Sequence, residues 1–171
     1  MIAHKRPMQA EQIASMTMPI RDRFLADHRR LETLLEQLLA AFEANDREVI
    51  AKLWTEFDSG LLAHLEAEET YLIPALFWIC ERDARVLVQE HRHIRTRLAE
   101  LGVGIDLHVV RLSAARDFVD ELRAHARTED RLLYARLLDP AGDARLQEPD
   151  RASVIAALSA GPRAHAKKSA A

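Results

Sequence analysis

Two pairs of side chains in this 171-residue chain have a spacing that suits metal binding. His64 and Glu68 stand four positions apart, and so do His125 and Glu129. On a helix, residues at this spacing share one face with Cβ atoms about 5–6 Å apart, so both can bind one ion. Imidazole with carboxylate suits iron, manganese or zinc. With one further histidine before each pair, the candidate metal ligands are His28, His64, Glu68, His91, His125 and Glu129.

The candidate ligands belong to a repeat that divides the chain into two halves. Residues 27–31, DHRRL, correspond to residues 90–94, EHRHI. Residues 64–76, HLEAEETYLIPAL, correspond to residues 125–137, HARTEDRLLYARL. Each half therefore carries an acid-histidine pair followed by a His-x-x-x-Glu motif. Two such halves packed about a pseudo-twofold axis would bring all six side chains to one level of the fold.

Four amphipathic helices must position these side chains. Apolar residues recur at alternating steps of three and four, which is the pattern of a buried helix face. The first helix is expected to begin after Pro19 and to end near Asn45-Asp46, which can cap the start of the second. The second runs from about Arg47 towards Pro74, which should kink or end it. The third covers about 83–101, before Gly102 and Gly104, and the fourth covers about 109–138. Long helices with short connections predict an all-α, up-down-up-down four-helix bundle.

The predicted domain organisation is one bundle with flexible tails. We expect an N-terminal tail at residues 1–19, the bundle at residues 20–140 and a C-terminal extension at residues 141–171. The extension is expected to hold a short helix at 150–160 and to be disordered beyond it.

The six candidate ligands occupy helix faces that otherwise carry leucine and phenylalanine. A buried ionised carboxylate is unfavourable unless it is paired or bound to metal. Two carboxylates in one core also repel each other. One or two cations would neutralise them, so the six residues together favour a metal site over an ordinary core.

Composition excludes several other classes of protein. The one cysteine, Cys80, excludes an internal disulfide framework and a cysteine-based zinc site. The net charge is −3 with basic and acidic residues interleaved, which argues against a nucleic-acid partner. No uncharged apolar run is long enough to cross a membrane, and no signal peptide is visible. We therefore expect a cytoplasmic protein with no membrane partner.

Other polar residues near these motifs are expected to have no metal role. The four remaining histidines are His4, His93, His108 and His165. Asp27 and Glu90 directly precede the histidines of the first and third helices; a carboxylate can orient a ligating imidazole, but adjacent residues do not share a helix face, which favours surface roles. Glu69 and Asp130 follow the glutamates by one position and are also expected on the surface. Tyr134 lies near the level of the site, where a packing role is expected.

The ordered motifs resemble the hemerythrin-like (HHE cation-binding) family. The motifs that carry the resemblance are His28, His64-x-x-x-Glu68, His91 and His125-x-x-x-Glu129. The string EETYLIPAL within the second helix is similar to the family's Glu-Glu and Leu-Phe-Pro continuation. The resemblance covers about residues 20–138 and implies a four-helix bundle with a non-haem di-iron centre. It assigns His28 and His64 to one iron, His91 and His125 to the other, and Glu68 and Glu129 as bridges.

The resemblance also has one departure. Oxygen-carrying hemerythrins place a further histidine one turn after the third-helix histidine, where this chain has Arg95; one turn earlier it has Leu87. The missing ligand argues against simple oxygen carriage and implies an emptier coordination sphere, open to a small diatomic ligand or peroxide. Two iron ions are implied, with zinc or manganese as alternatives.

Three functions stay open from the sequence. The first is a metal-binding protein that binds or senses oxygen, nitric oxide, peroxide or iron. The second is a di-iron enzyme that consumes peroxide or activates oxygen. The third is a structural helical module that holds zinc. The sequence decides neither whether the protein is an enzyme nor its oligomeric state.

Overall fold

A computed structural model describes residues 20–137, and its regular structure there is entirely helical. Four helices follow one another: α1 is Ile20–Ala44; α2 joins Arg47–Ala67, a π-helical turn at Glu68–Leu72, and Ile73–Ile79; α3 is Glu81–Asp106; α4 joins Leu112–Glu129, a π-helical turn at Asp130–Tyr134, and Ala135–Leu137. Helices α1 and α3 each pack against both α2 and α4. This arrangement confirms the predicted all-α four-helix bundle.

The connection between α1 and α2 is the cap that the sequence predicts. Asn45 has a φ of 53°, a left-handed conformation that ends α1. Asp46 is the N-cap of α2, and its side chain accepts a hydrogen bond from the backbone N–H of Val49. This bond satisfies one of the backbone N–H groups that have no partner within the first turn of the helix.

The end of α3 differs from the prediction. Helix α3 continues through Gly102 and Gly104 to Asp106, and α4 begins at Leu112, later than expected. A Cβ at Gly104 would stand 2.6 Å from Cγ2 of Val110. This glycine therefore serves the close return of the chain over the helix, and it does not act as a stop.

Pro74 does not end the second helix. Before it, the helix changes to a π-helical turn in which the backbone N–H of Ile73 bonds to the carbonyl of Glu68. Pro74 then lies in the first turn of Ile73–Ile79, where its missing N–H leaves no gap in the hydrogen bonding. Helix α4 has its own π-helical turn at the corresponding place in the repeat, directly after Glu129.

The candidate ligands lie between two apolar layers of the core. One layer contains Leu31, Leu35 and Leu38 with Phe57, Leu98 and Phe118. The other contains Ile20, Phe24, Leu72, Leu76, Leu87 and Leu133. Along every helix the candidate ligands fall between these two sets, so the bundle sandwiches one polar level between apolar ones.

Some expectations fall outside residues 20–137. The two tails and the helix expected at 150–160 are among them, and the domain limits stay predictions. Within the described part of the chain, no helix is both long and apolar enough to cross a membrane.

Candidate metal centre

The structure brings all six candidate ligands together at one level of the bundle. They form two sets of four residues, and both sets contain Glu68 and Glu129. One set adds His28 and His64, and the other adds His91 and His125. Within each set, one ligand atom from every residue lies within 4.8 Å of the others. Five of the six residues are buried, and the side chain of His28 is 18% exposed. Metal ligation by these residues stays a prediction that this geometry supports.

The Nε2 atoms of the four histidines all point towards the shared glutamates. His28 Nε2 lies 3.1 Å from Glu129 Oε2, and His125 Nε2 lies 2.6 Å from Glu129 Oε1. His91 Nε2 lies 3.4 Å from Glu68 Oε2, and His64 Nε2 lies 3.5 Å from Glu68 Oε1. The six candidate ligands therefore face a common centre.

Two buried atoms of this centre make no well-directed hydrogen bond to the described residues, although another candidate ligand lies near each. They are Nε2 of His125, 2.6 Å from Glu129 Oε1, and Oε2 of Glu68, 3.4 Å from His91 Nε2. Buried polar atoms without a well-directed hydrogen bond are rare and unfavourable, so each is expected to have a better partner in the working protein. Their positions in a cluster of nitrogen and oxygen donors, with no thiolate, fit a bound cation of the iron, manganese or zinc type.

In three of the four histidines, Nδ1 lies within hydrogen-bond distance of a carboxylate. Nδ1 of His64 lies 2.9 Å from Asp27 Oδ2, and Nδ1 of His125 lies 2.7 Å from Glu90 Oε2. Ligating histidines commonly donate their second N–H in this way, which fixes the tautomer and leaves the Nε2 lone pair free for metal.

The expectation of surface roles for Asp27 and Glu90 is wrong. Spacing along one helix relates each acid only to the histidine beside it in sequence. Each acid instead reaches the histidine on the next helix, from α1 to α2 and from α3 to α4. The repeat of the acid-histidine pair is the sequence signal that could have shown this shared role.

Glu69, which the sequence places on the surface, supplies the third such contact while remaining partly exposed. Its Oε1 lies 3.0 Å from Nδ1 of His91 and 2.5 Å from Nη1 of Arg95. Arg95, one turn after His91, thus holds the carboxylate that orients His91, and the open coordination position inferred from the missing histidine stays a prediction. Leu87, one turn before His91, is buried in the core.

The repeat is broken at the corresponding place beside His28. Asp130 matches Glu69 in the repeat, but it is exposed, and Nδ1 of His28 has no hydrogen-bond partner within residues 20–137. Glu32 matches Arg95, and it accepts hydrogen bonds from Arg123 of α4. Among the described residues, His28 is thus the one candidate histidine ligand whose Nδ1 is not held by a carboxylate.

Tyr134 does more than the packing role expected from the sequence, because its hydroxyl contacts the candidate ligands. Its side chain is 1% exposed, and its hydroxyl donates to Glu68 and lies 3.3 Å from His28 Nε2. Burial and the nearby carboxylates raise the pKa of Tyr134 well above its ordinary value. The phenol is therefore a hydrogen-bond donor at any physiological pH. Ile73 occupies the corresponding place in the first half, so the repeat gave no sign of this role.

The electrostatics of the cluster favour positive charge at its centre. Burial opposes protonation of His64, but Glu68 and Asp27 outweigh it and raise the pKa of His64 to about 10. In the same way, Glu129 and Glu68 outweigh burial and raise the pKa of His91 to about 9. Burial alone would raise the pKa of Glu129, yet the surrounding histidines hold it well below its usual range. Without metal, protons supply the charge that a cation would bring, so metal and protons compete.

The other histidines match their expected roles where the structure describes them. His93 is exposed on α3, with Nε2 3.5 Å from Glu121. His108 is exposed in the connection between α3 and α4 and has a φ of 58°. His4 and His165 lie outside the described residues.

Comparison with known families agrees with this geometry. A family model described as the Hemerythrin HHE cation binding domain matches the chain twice, over residues 20–101 and 82–153. A search of curated proteins and a search of solved structures each gave no significant match. The two family matches together span well over half of the chain. The chain therefore belongs to the hemerythrin HHE cation-binding domain family, and its His/Glu cluster is the candidate site for a metal cation.

Proposed function

We propose that the protein holds a non-haem di-iron centre that binds a small ligand such as oxygen, nitric oxide or peroxide. The observation that carries this proposal is the pair of four-residue sets that share Glu68 and Glu129. A carboxylate can bind two ions at once, so two shared carboxylates are suited to hold an ion pair. The imidazoles of His28 and His64 would serve one ion, and those of His91 and His125 the other.

Iron is favoured over structural zinc by what surrounds the ligands. Two imidazoles and two carboxylates would complete the four-coordinate shell that structural zinc prefers. A structural site is closed, whereas this one adjoins a cavity lined by His28, His64, His125 and Glu129. Iron accepts more ligands than these four side chains provide and, when bound, supplies redox chemistry and positions for an external ligand. The cavity supports the iron assignment because it leaves space where that ligand would be needed.

The protein's own residues position the donors and keep bulk water away. Asp27, Glu69 and Glu90 fix three of the imidazoles through Nδ1. Tyr134 donates to Glu68 and so orients one of the shared carboxylates. The two apolar layers above and below the polar level exclude water and strengthen electrostatic interactions within it.

Anaerobic loading of the purified protein with ferrous iron tests this proposal. We expect about two irons per chain, as in other bundles with paired His/Glu motifs. Exposure to air should give a visible absorption spectrum, and azide or nitric oxide should change it. Glu129→Ala should lose iron, whereas Glu66→Ala, an exposed acid on α2, should retain it. A protein that binds zinc but takes up no iron, or whose iron responds to neither ligand, would overturn the proposal in favour of a structural role.

A further inference from the structure

Two faces of the bundle are related by the repeat at the level of the candidate ligands. One face lies between α1 and α4, and the other between α3 and α2, so an opening to solvent at one would have its counterpart at the other. Because α1 corresponds to α3 and α4 to α2, the same residue types in both halves would give two equal openings. The sequence departs from the repeat at the residues that line them.

The opening between α2 and α3 is closed over His91. The ring of His91 is fully buried, with 0% exposure. Glu69 covers its Nδ1 edge at 3.0 Å, and Arg95 holds Glu69 at 2.5 Å. The surface hollow on this side is lined by Glu69 and Arg95 and does not extend to any candidate ligand. The ion pair thus closes the α2–α3 face.

The opening between α1 and α4 is also bridged by an ion pair, Glu32 with Arg123, but within residues 20–137 that pair makes no hydrogen bond to His28. Asp130 replaces Glu69 with a side chain one methylene shorter, and it is exposed. Glu32 replaces Arg95, and it turns to Arg123 of α4. Ala126 stands where the first half has Leu65, a residue that is completely buried. Each exchange removes side-chain bulk or a contact from beside His28.

These exchanges leave a cavity between α1 and α4, which we name the α1–α4 cavity. Its volume is about 340 Å³, more than ten times the share of liquid volume of one water molecule, about 30 Å³. Its inner end reaches His28, His64 and Glu129. Aliphatic side chains form one part of its walls, and they include Leu25, Leu31, Leu35, Leu61, Leu122 and Ala126. Besides the candidate ligands, the charged residues Arg29, Glu32, Arg123, Arg127 and Asp130 also line it.

The size and lining of the α1–α4 cavity indicate the class of ligand that it accepts. A diatomic molecule would fill a small part of it. Leucine side chains offer no hydrogen bonds to water, so an alkyl group would displace poorly held water and gain from burial. Arg29 and Arg127 are exposed in the cavity lining, where they outnumber the exposed Asp130 and would attract an anion.

We propose that, in the bundle formed by residues 20–137, the α1–α4 cavity is the route by which external ligands reach the metal centre, and that it accepts an oxygen donor bearing a short alkyl group. The donor atom lies beside His28 and Glu129, and the alkyl group lies along the leucines. An alkyl hydroperoxide and a short-chain carboxylate share this chemistry. The inference rests on the proposed di-iron function, since the donor atom needs an ion to bind.

Filling the cavity tests this inference. Ala126→Phe places a ring in the cavity, and Ala126→Leu repeats the residue of the first half if the larger change disturbs folding. Ala124→Phe is the matched control, because Ala124 is exposed on the same helix. All variants are loaded with iron and oxidised, and azide association is followed by stopped-flow absorption. Hexanoate is then added as a competitor of azide.

We expect azide association with Ala126→Phe to slow by about tenfold or more, because a packed interior leaves no path for a ligand. Hexanoate should compete with azide in the unmodified protein and in Ala124→Phe, and this competition should be lost in Ala126→Phe. Unchanged azide rates in Ala126→Phe would overturn this route, and failure of hexanoate to compete in the unmodified protein would overturn the ligand class. Both results leave the di-iron proposal intact. An iron-loaded unmodified protein that binds no azide at all would overturn both proposals.

Discussion

Asp27 offers a sharp test of how the bundle prepares its metal ligands. Its Oδ2 lies 2.9 Å from Nδ1 of His64, and its side chain is only 11% exposed. Arg30 donates to the other oxygen at 2.9 Å, so the carboxylate is itself held in place. Asp27→Ala removes this support and leaves the six candidate ligands unchanged. The ring of His64 then loses the acceptor that fixes its tautomer.

The expected loss in metal affinity follows from the role of that hydrogen bond. Removal of a carboxylate behind a ligating histidine weakens metal binding by about 10–100-fold. At about 1.4 kcal/mol per tenfold change, this corresponds to about 1.4–2.7 kcal/mol of binding free energy. Because Asp27 is largely buried, water has little access to replace the missing carboxylate oxygen, and we expect a loss of affinity towards the upper end of this range.

Competition between the protein and a chromophoric chelator for ferrous iron, without oxygen, measures this change. Asp130→Ala is the matched control, because Asp130 follows Glu129 directly yet is exposed and does not hydrogen-bond to His28. We expect the control to bind iron as the unmodified protein does. Circular dichroism of the metal-free variants checks that both remain folded. Equal iron affinity in Asp27→Ala and Asp130→Ala would refute the proposed support of His64.

Three further predictions concern the core, the metal-free protein and a surface histidine. Phe57 is 0% exposed, so Phe57→Ala should lower the free energy of unfolding by about 3–5 kcal/mol. Phe77 is 38% exposed, so Phe77→Ala should lower it much less. Equal losses in chemical denaturation would contradict the packing of the bundle. The pKa values of His64 and His91 are raised to about 10 and about 9, so their stabilisation of the metal-free fold is fully present below the unfolded value of about 6.5 and is lost as the pH rises through these values. Denaturation of the metal-free protein should therefore show lower stability at pH 10 than at pH 6, and a flat profile would count against this electrostatic picture. His93→Ala should leave the iron content unchanged in elemental analysis, and a loss of iron would show that an exposed histidine takes part.

The elements of the fold were predictable because their signals are local. Helical periodicity gave four helices, and the residues that interrupted the periodicity were the ones that could bind metal. The stop expected at Gly102 and Gly104 failed for a tertiary reason. The return of the chain at Val110 requires a residue without a side chain at position 104, and no local pattern reveals that approach.

The composition of the cluster was also predictable, but its support was not. Six polar residues on apolar helix faces could be read from spacing alone. The partners Asp27 and Glu90 act across a helix–helix contact, so an argument based on neighbours in one helix assigned them to the surface. Tyr134 breaks the repeat, and its contact with Glu68 depends on how α2 and α4 pack.

The difference between the two openings needs the structure most of all. Glu69 and Asp130 are both acids and look equivalent in the repeat. One methylene and a different neighbour decide that Glu69 covers a histidine and that Asp130 does not. Such differences are invisible until the distances between helices are known.

Metal stoichiometry tests the central claim most directly. The unmodified chain, loaded with ferrous iron without oxygen and freed of excess metal, is examined by elemental analysis beside Glu68→Ala. The shared carboxylates predict about two irons per chain in the unmodified protein and a marked loss from both positions in the variant. One iron per chain, or full occupancy in Glu68→Ala, would contradict a two-ion centre bridged by Glu68 and Glu129.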